Sequence, residues 1–94
     1  MMRALGLAAL LLGTAVTAWA EPAAPPGAAA CSGCHNARAA TVLPSLQGQT
    51  PEAIVATMEA FRTGARPATL MNRIAKGFTD EETRAIAAWV SQPH

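Results

Sequence analysis

From residue 50 onward the apolar positions recur with the period of a helix. Thr50 is a favourable N-cap, Pro51 suits the first helical position, and Glu52 complements the helix dipole. Ile54, Met58 and Phe61 then fall at i, i+4 and i+7 with Val55 beside them, and Gly64 stops the run after about Thr63. A second helical pattern starts at Thr79-Asp80-Glu81-Glu82, a capping box with Thr79 as the cap, and carries Ile86, Trp89 and Val90 on one face. Between the two, Gly64-Ala65-Arg66-Pro67 leads into a short segment, Ala68 to Lys76, closed by Gly77. Upstream, Ala28-Ala29-Ala30 open a helix that continues through Cys31, Cys34 and His35, and Trp89 is large enough to anchor the last helix against it. Asn36 to Gln49 has no sustained period and contains Pro44 and Gly48, so it reads as a loop. Phe61, Phe78 and Trp89 read as core. No strand pattern, hairpin turn or repeat is visible, and the pattern predicts an all-α domain of about four short helices.

The first 20 residues follow a different logic. Met1, Met2 and Arg3 make a positively charged start, Ala4 to Val16 is almost wholly apolar, and Ala18-Trp19-Ala20 is a small-x-small cleavage site. The apolar run is short and rich in Ala and Gly, whereas a membrane span needs about 20 strongly apolar residues. Residues 1–20 therefore read as a cleaved secretory signal, with an uncleaved anchor as the competing reading. Residues 21–27, Glu-Pro-Ala-Ala-Pro-Pro-Gly, read as a flexible Pro-rich leader, and residues 28–94 as the folded domain. The expected location is the periplasm, with no membrane insertion once the signal is gone.

Charge narrows the partners. Arg3 is the only basic residue lost with the signal, so six basic side chains face six acidic ones in the remainder. Zero net side-chain charge offers no field for nucleic acid and no cationic stripe for a membrane surface. Size narrows the architecture, because a domain this small buries a modest share of its surface and commonly needs a covalent or cofactor staple. A disulfide between the two cysteines would close only a two-residue gap and constrain the unfolded chain little.

The staple is legible in Cys31-Ser32-Gly33-Cys34-His35, the attachment signature of a c-type haem. Each thiol can add to one porphyrin vinyl group, the gap matches the vinyl spacing along a helical turn, and His35 is placed under the iron. One haem c, covalent through Cys31 and Cys34, would then form much of the core, and the apoprotein is expected to be poorly folded. The loop from Asn36 to Gln49 would wrap one edge of the ring. A thioredoxin-like dithiol requires a βαβ setting that is absent here, and a zinc site would have to recruit His94 as a distant fourth ligand.

With this order of elements, nearly the whole domain resembles a class I cytochrome c. The resemblance implies that the carbonyl of Pro44 accepts a hydrogen bond from the proximal His35 and that Leu46 packs on the haem, in the segment Pro44-Ser45-Leu46. It also implies a methionine as sixth ligand, since His/Met ligation is the family's arrangement and raises the reduction potential. Met58 belongs to a regular apolar stripe, where methionine is ordinarily core filling. Met71, between Pro67 and Gly77, is favoured over it, and His94 beyond Pro93 reads as a frayed end.

A sharper resemblance lies in Met58-Glu59-Ala60-Phe61-Arg62-Thr63-Gly64 followed by Ala68-Thr69-Leu70-Met71-Asn72-Arg73-Ile74-Ala75-Lys76-Gly77-Phe78-Thr79. These runs are similar to the cytochrome subunit of flavocytochrome c sulfide dehydrogenase, and less closely to cytochromes of the c4 and c5 kind. The chain departs from that pattern in lacking Gly after His35 and in the short loop to Pro44. The resemblance implies an FAD-containing sulfide dehydrogenase subunit as electron donor, in a heterodimer, and a soluble electron acceptor. No Gly-x-Gly-x-x-Gly is present for a flavin, and thioethers would consume both cysteines, so no sulfide oxidation is expected of this chain alone. The alternative functions are a free-standing periplasmic carrier and a haem-based ligand sensor. Arg73 and Lys76 read equally as a solvated helix face and as groups for docking or for the haem propionates. A docking patch is expected near Ala65 to Leu70 or on the haem-motif helix.

Overall fold

A computed structural model describes residues 13–19, 22–36, 38 and 42–93. Among these the regular elements are α1 (Ala28–Cys34), α2 (Pro51–Thr63), α3 (Met71–Ala75) and α4 (Asp80–Val90), with no strand. The fold is thus all-α, as the periodicity predicts.

Each boundary has a local cause. The Thr50 side chain accepts from the Ala53 N–H at 3.1 Å with Pro51 at the first turn, and Gly64 ends α2 in the left-handed region at φ 82°. In α4 the capping box is complete: Thr79 Oγ1 accepts from the Glu82 N–H at 3.1 Å, and the Glu82 carboxylate accepts from the Thr79 N–H at 3.0 Å. α3 is shorter than the segment expected from sequence. Leu70 is its N-cap without a side-chain bond, and residues 67–70 run into it without regular structure.

α2 packs on both α3 and α4, and α1 packs on α4. The core they enclose is thin: Ala28, Ile54, Ile86, Ala87 and Val90 form one buried cluster, with Cys31, Leu46, Val55, Met58, Phe78 and Trp89 half-buried against it. Burying Ile54, Ile86 and Val90 contributes roughly 1.5–3 kcal/mol each. Ala28 and Ala87 are fully buried, which lets α1 and α4 approach closely. Among the described residues no large side chain is fully buried. Phe61 was expected in the core; it is half-buried outside this cluster, with the Arg66 guanidinium 5.2 Å above its ring. Thr83 is a buried polar residue whose hydroxyl donates to the Thr79 carbonyl at 2.8 Å, so its burial leaves no unmet bond.

Among the described residues no helix is long and apolar enough to cross a membrane. Most of the expected signal segment and His94 lie outside the described residues. In the leader, the Pro25 carbonyl accepts from the Ala28 N–H at 3.1 Å and so joins residues 22–27 to the start of α1.

Candidate functional site

α1 presents both thiols. Cys31 is half-buried against the core, its Sγ 3.6 Å from the Gly27 carbonyl, while Cys34 is exposed one turn on. The two are free thiols, not a disulfide. Burial pushes the Cys31 thiol up from its ordinary range and outweighs the lowering effect of a backbone hydrogen bond, with the neighbouring Cys34 adding to the rise. Cys31 therefore stays a neutral thiol at neutral pH.

His35 is the C-cap of α1, its N–H donating to the Cys31 carbonyl at 2.8 Å. Its ring is fixed by the loop: Nδ1 donates to the Pro44 carbonyl at 2.8 Å. A carbonyl can only accept, so Nδ1 carries the proton and Nε2 keeps its lone pair for a metal. Such a bond fixes ring orientation and raises ligand basicity. The loop is held in turn from several sides. The Leu46 N–H donates to the His35 carbonyl at 3.4 Å, Gln49 Nε2 to the Ser45 carbonyl at 2.8 Å, and the Gly48 N–H to the Ser91 carbonyl at 3.2 Å. The last of these ties the loop to the end of α4.

Met58 and Met71, the methionines among the described residues, occupy different settings. Met58 is half-buried on α2 and packs against the core cluster. Met71 is the first residue of α3, half-buried and outside that cluster. The residues flanking it, Leu70 and Ile74, are exposed by 57% and 38%, and Leu43, next to Pro44, by 38%. Thus the segments beside Pro44 and Met71 both carry uncovered apolar side chains. A pair of free thiols on one turn and an imidazole with Nε2 available suit a planar, covalently attached ring carrying iron. The site residues fit a haem.

Leu46 lies half-buried on the protein core. Arg73 and Lys76 are both exposed, at the end of α3. Among the described residues no group of three or more His, Cys, Asp or Glu could hold a metal ion, so the zinc reading has no ligand set there. Gly27 was not legible as a structural residue: at φ 91° it lets α1 begin directly over Phe78 and Ile86. The only sequence signal was a glycine at the end of a Pro-rich leader.

No protein-family profile matches the chain. It is 41% identical over 61 residues to the cytochrome subunit of sulfide dehydrogenase of Chlorobaculum tepidum, covering 63% of this chain and 56% of that protein. It is 37% identical over 93 residues to a thiosulfate dehydrogenase electron acceptor of Stutzerimonas stutzeri, covering 88% of this chain and 43% of the relative. It is 35% identical over 65 residues to cytochrome c-554(548) of Halomonas halodenitrificans, covering 66% of this chain and 78% of that protein. The chain thus spans about half the length of the first two relatives and most of the third.

Proposed function

The chain belongs to the class I c-type cytochromes, and we propose that it is the cytochrome subunit of a flavin-containing sulfide dehydrogenase, taking electrons from that partner and delivering them to a soluble acceptor. It is an electron-transfer protein that carries haem c. When bound, the haem supplies a one-electron iron couple. The chain's own residues do the rest. Cys31 and Cys34 tether the ring through thioethers, His35 offers Nε2 to the iron, and Pro44 holds that imidazole in one tautomer. Met71 would offer its sulfur as a second protein ligand. With both ligands retained, little atomic movement would oppose the redox change.

The observation that carries the electron-transfer reading is the ring of His35, fixed by the 2.8 Å bond to Pro44 in the tautomer that leaves Nε2 free. The choice of a sulfide-oxidising partner rests on similarity to the Chlorobaculum tepidum subunit. The greater coverage of cytochrome c-554(548) favours a second reading, a free-standing carrier. In either case residues 1–20 act as a cleaved signal and the domain works in the periplasm; Val16 and Trp19, 87% and 92% exposed, take no part in the core.

The two readings separate in one preparation. Protein purified gently from its native source is expected to show flavin bands beside those of the haem, and sulfide is expected to reduce the haem. A haem spectrum without flavin, unchanged by sulfide, assigns the free carrier instead.

A further inference from the structure

Arg62 lies one residue before the end of α2, and its Nη2 donates to two carboxylates. One belongs to Glu59, a turn earlier on the same helix, and the other to Asp80, the first residue of α4. Asp80 is 18 residues further along the chain, so this ion pair closes the base of the whole segment from Thr63 to Thr79, with Met71 near its middle. We infer that Arg62 is a positioning residue for Met71: its bridge between α2 and α4 limits how far the Met71 segment can move from the iron.

The segment is fastened at both ends. At the start, Gly64 turns the chain in the left-handed region, the Arg66 N–H donates to the Ala60 carbonyl at 3.0 Å, and the Arg66 guanidinium covers Phe61. At the end, the Thr79–Glu82 capping box fixes the first turn of α4. Between them, residues 67–70 have no regular structure and α3 has only five residues, too few to be stable alone. A loop of this kind keeps its shape only if its ends are held at a set separation, and the entropy of closing it is already met when a crosslink spans the base. The packing of α2 on α4 brings those ends together, and Arg62 adds an ionic crosslink between them. Glu59 and Asp80 accept from the same Nη2 of Arg62, in the groove between α2 and α4. Arg84 lines the same groove from α4, and the ion pair across it is made by Arg62.

The bridge is exposed enough to be modest and salt-sensitive: the side chains of Arg62, Glu59 and Asp80 are 29%, 53% and 67% exposed. Because the inference rests on Met71 as sixth ligand, its test includes a control for that reading. Imidazole, which competes for the iron position assigned to Met71, is titrated into the oxidised holoprotein. Arg62→Met is expected to bind imidazole about threefold more tightly than wild type at low ionic strength. The difference is expected to vanish at about 1 M NaCl, and Arg62→Lys to recover part of the wild-type behaviour. Equal affinities at low salt, or a lower melting temperature with imidazole binding unchanged, would overturn the inference. Met71→Ala is titrated alongside. If Met71→Ala binds imidazole far more tightly and Arg62→Met does not, only the role of Arg62 fails. If Met71→Ala binds no more tightly than wild type, the ligand assignment itself fails.

Discussion

The Pro44 carbonyl accepts a 2.8 Å hydrogen bond from Nδ1 of His35, nine residues earlier in the chain. The bond joins the end of α1 to the loop and leaves Nε2 as the only ring nitrogen with a lone pair. Pro44 contributes a carbonyl, which any residue has, and a fixed φ, which no other residue has. Pro44→Ala therefore keeps the acceptor and frees the loop. It is expected to lower stability by about 0.4–1 kcal/mol, a fall in melting temperature of roughly 2–8 °C for a domain this size, with haem still attached. An unchanged melting temperature would mean that the hydrogen bonds of the loop hold it without help from the fixed φ of Pro44.

Gly27 is required by two independent constraints. Its φ is 91°, and a Cβ there would lie 2.6 Å from Cε1 of Phe78 and 3.3 Å from Cδ1 of Ile86. Gly27→Ala is expected to cost on the order of 2 kcal/mol, combining left-handed strain with overpacking. Gly33 lies inside α1 with nothing within 4 Å of such a Cβ. Gly33→Ala meets no protein atom and is expected to be far milder than Gly27→Ala, since helix propensity favours Ala there. Thermal unfolding of the two variants checks the contrast, and equal effects would contradict the packing described for α1.

The capping box of α4 makes an acid prediction. The Thr79 backbone N–H, and secondly its side chain, hold the Glu82 carboxyl below the usual glutamate range. A carboxyl whose native pKa is depressed contributes stability above its unfolded pKa and loses it as pH falls through the native value. Glu82→Gln keeps an acceptor for the Thr79 N–H but removes the charge. The melting-temperature difference between wild type and Glu82→Gln is therefore expected to be full at pH 7. It should shrink once pH drops below about 4.3 and disappear in stronger acid. A difference independent of pH would show that the charge plays no part.

Much of this fold is written in local signals, and the exceptions have a common cause. Thr50, Pro51 and Gly64 bound α2, and Thr79 with Glu82 opens α4, because caps depend on residues a few positions apart. Ile54, Ile86 and Val90 are buried where the helical period puts them. Ala28 and Ala87 were not legible as core, since a small residue is buried by the approach of another helix and not by its own hydrophobicity. The Ala68 to Lys76 segment reads as one piece in sequence, but only Met71–Ala75 winds into helix. The bridge from Arg62 to Asp80 spans two helices and has no signature along the chain. Cys31, Cys34 and His35 stand out in the sequence because all three fall within about one turn.

Met58 packs against the core cluster, whereas Met71 lies outside it at the start of α3, and this contrast assigns Met71 as the sixth ligand. The direct measurement is the weak sulfur-to-iron charge-transfer band of the oxidised protein, recorded for wild type, Met71→Ala and Met58→Ala, with the reduction potential of each. The band is expected to vanish and the potential to fall in Met71→Ala, while Met58→Ala keeps the band and loses only stability, by about 2–5 kcal/mol if fully packed and less for its half-buried site. A band that survives Met71→Ala and disappears in Met58→Ala would contradict the assignment.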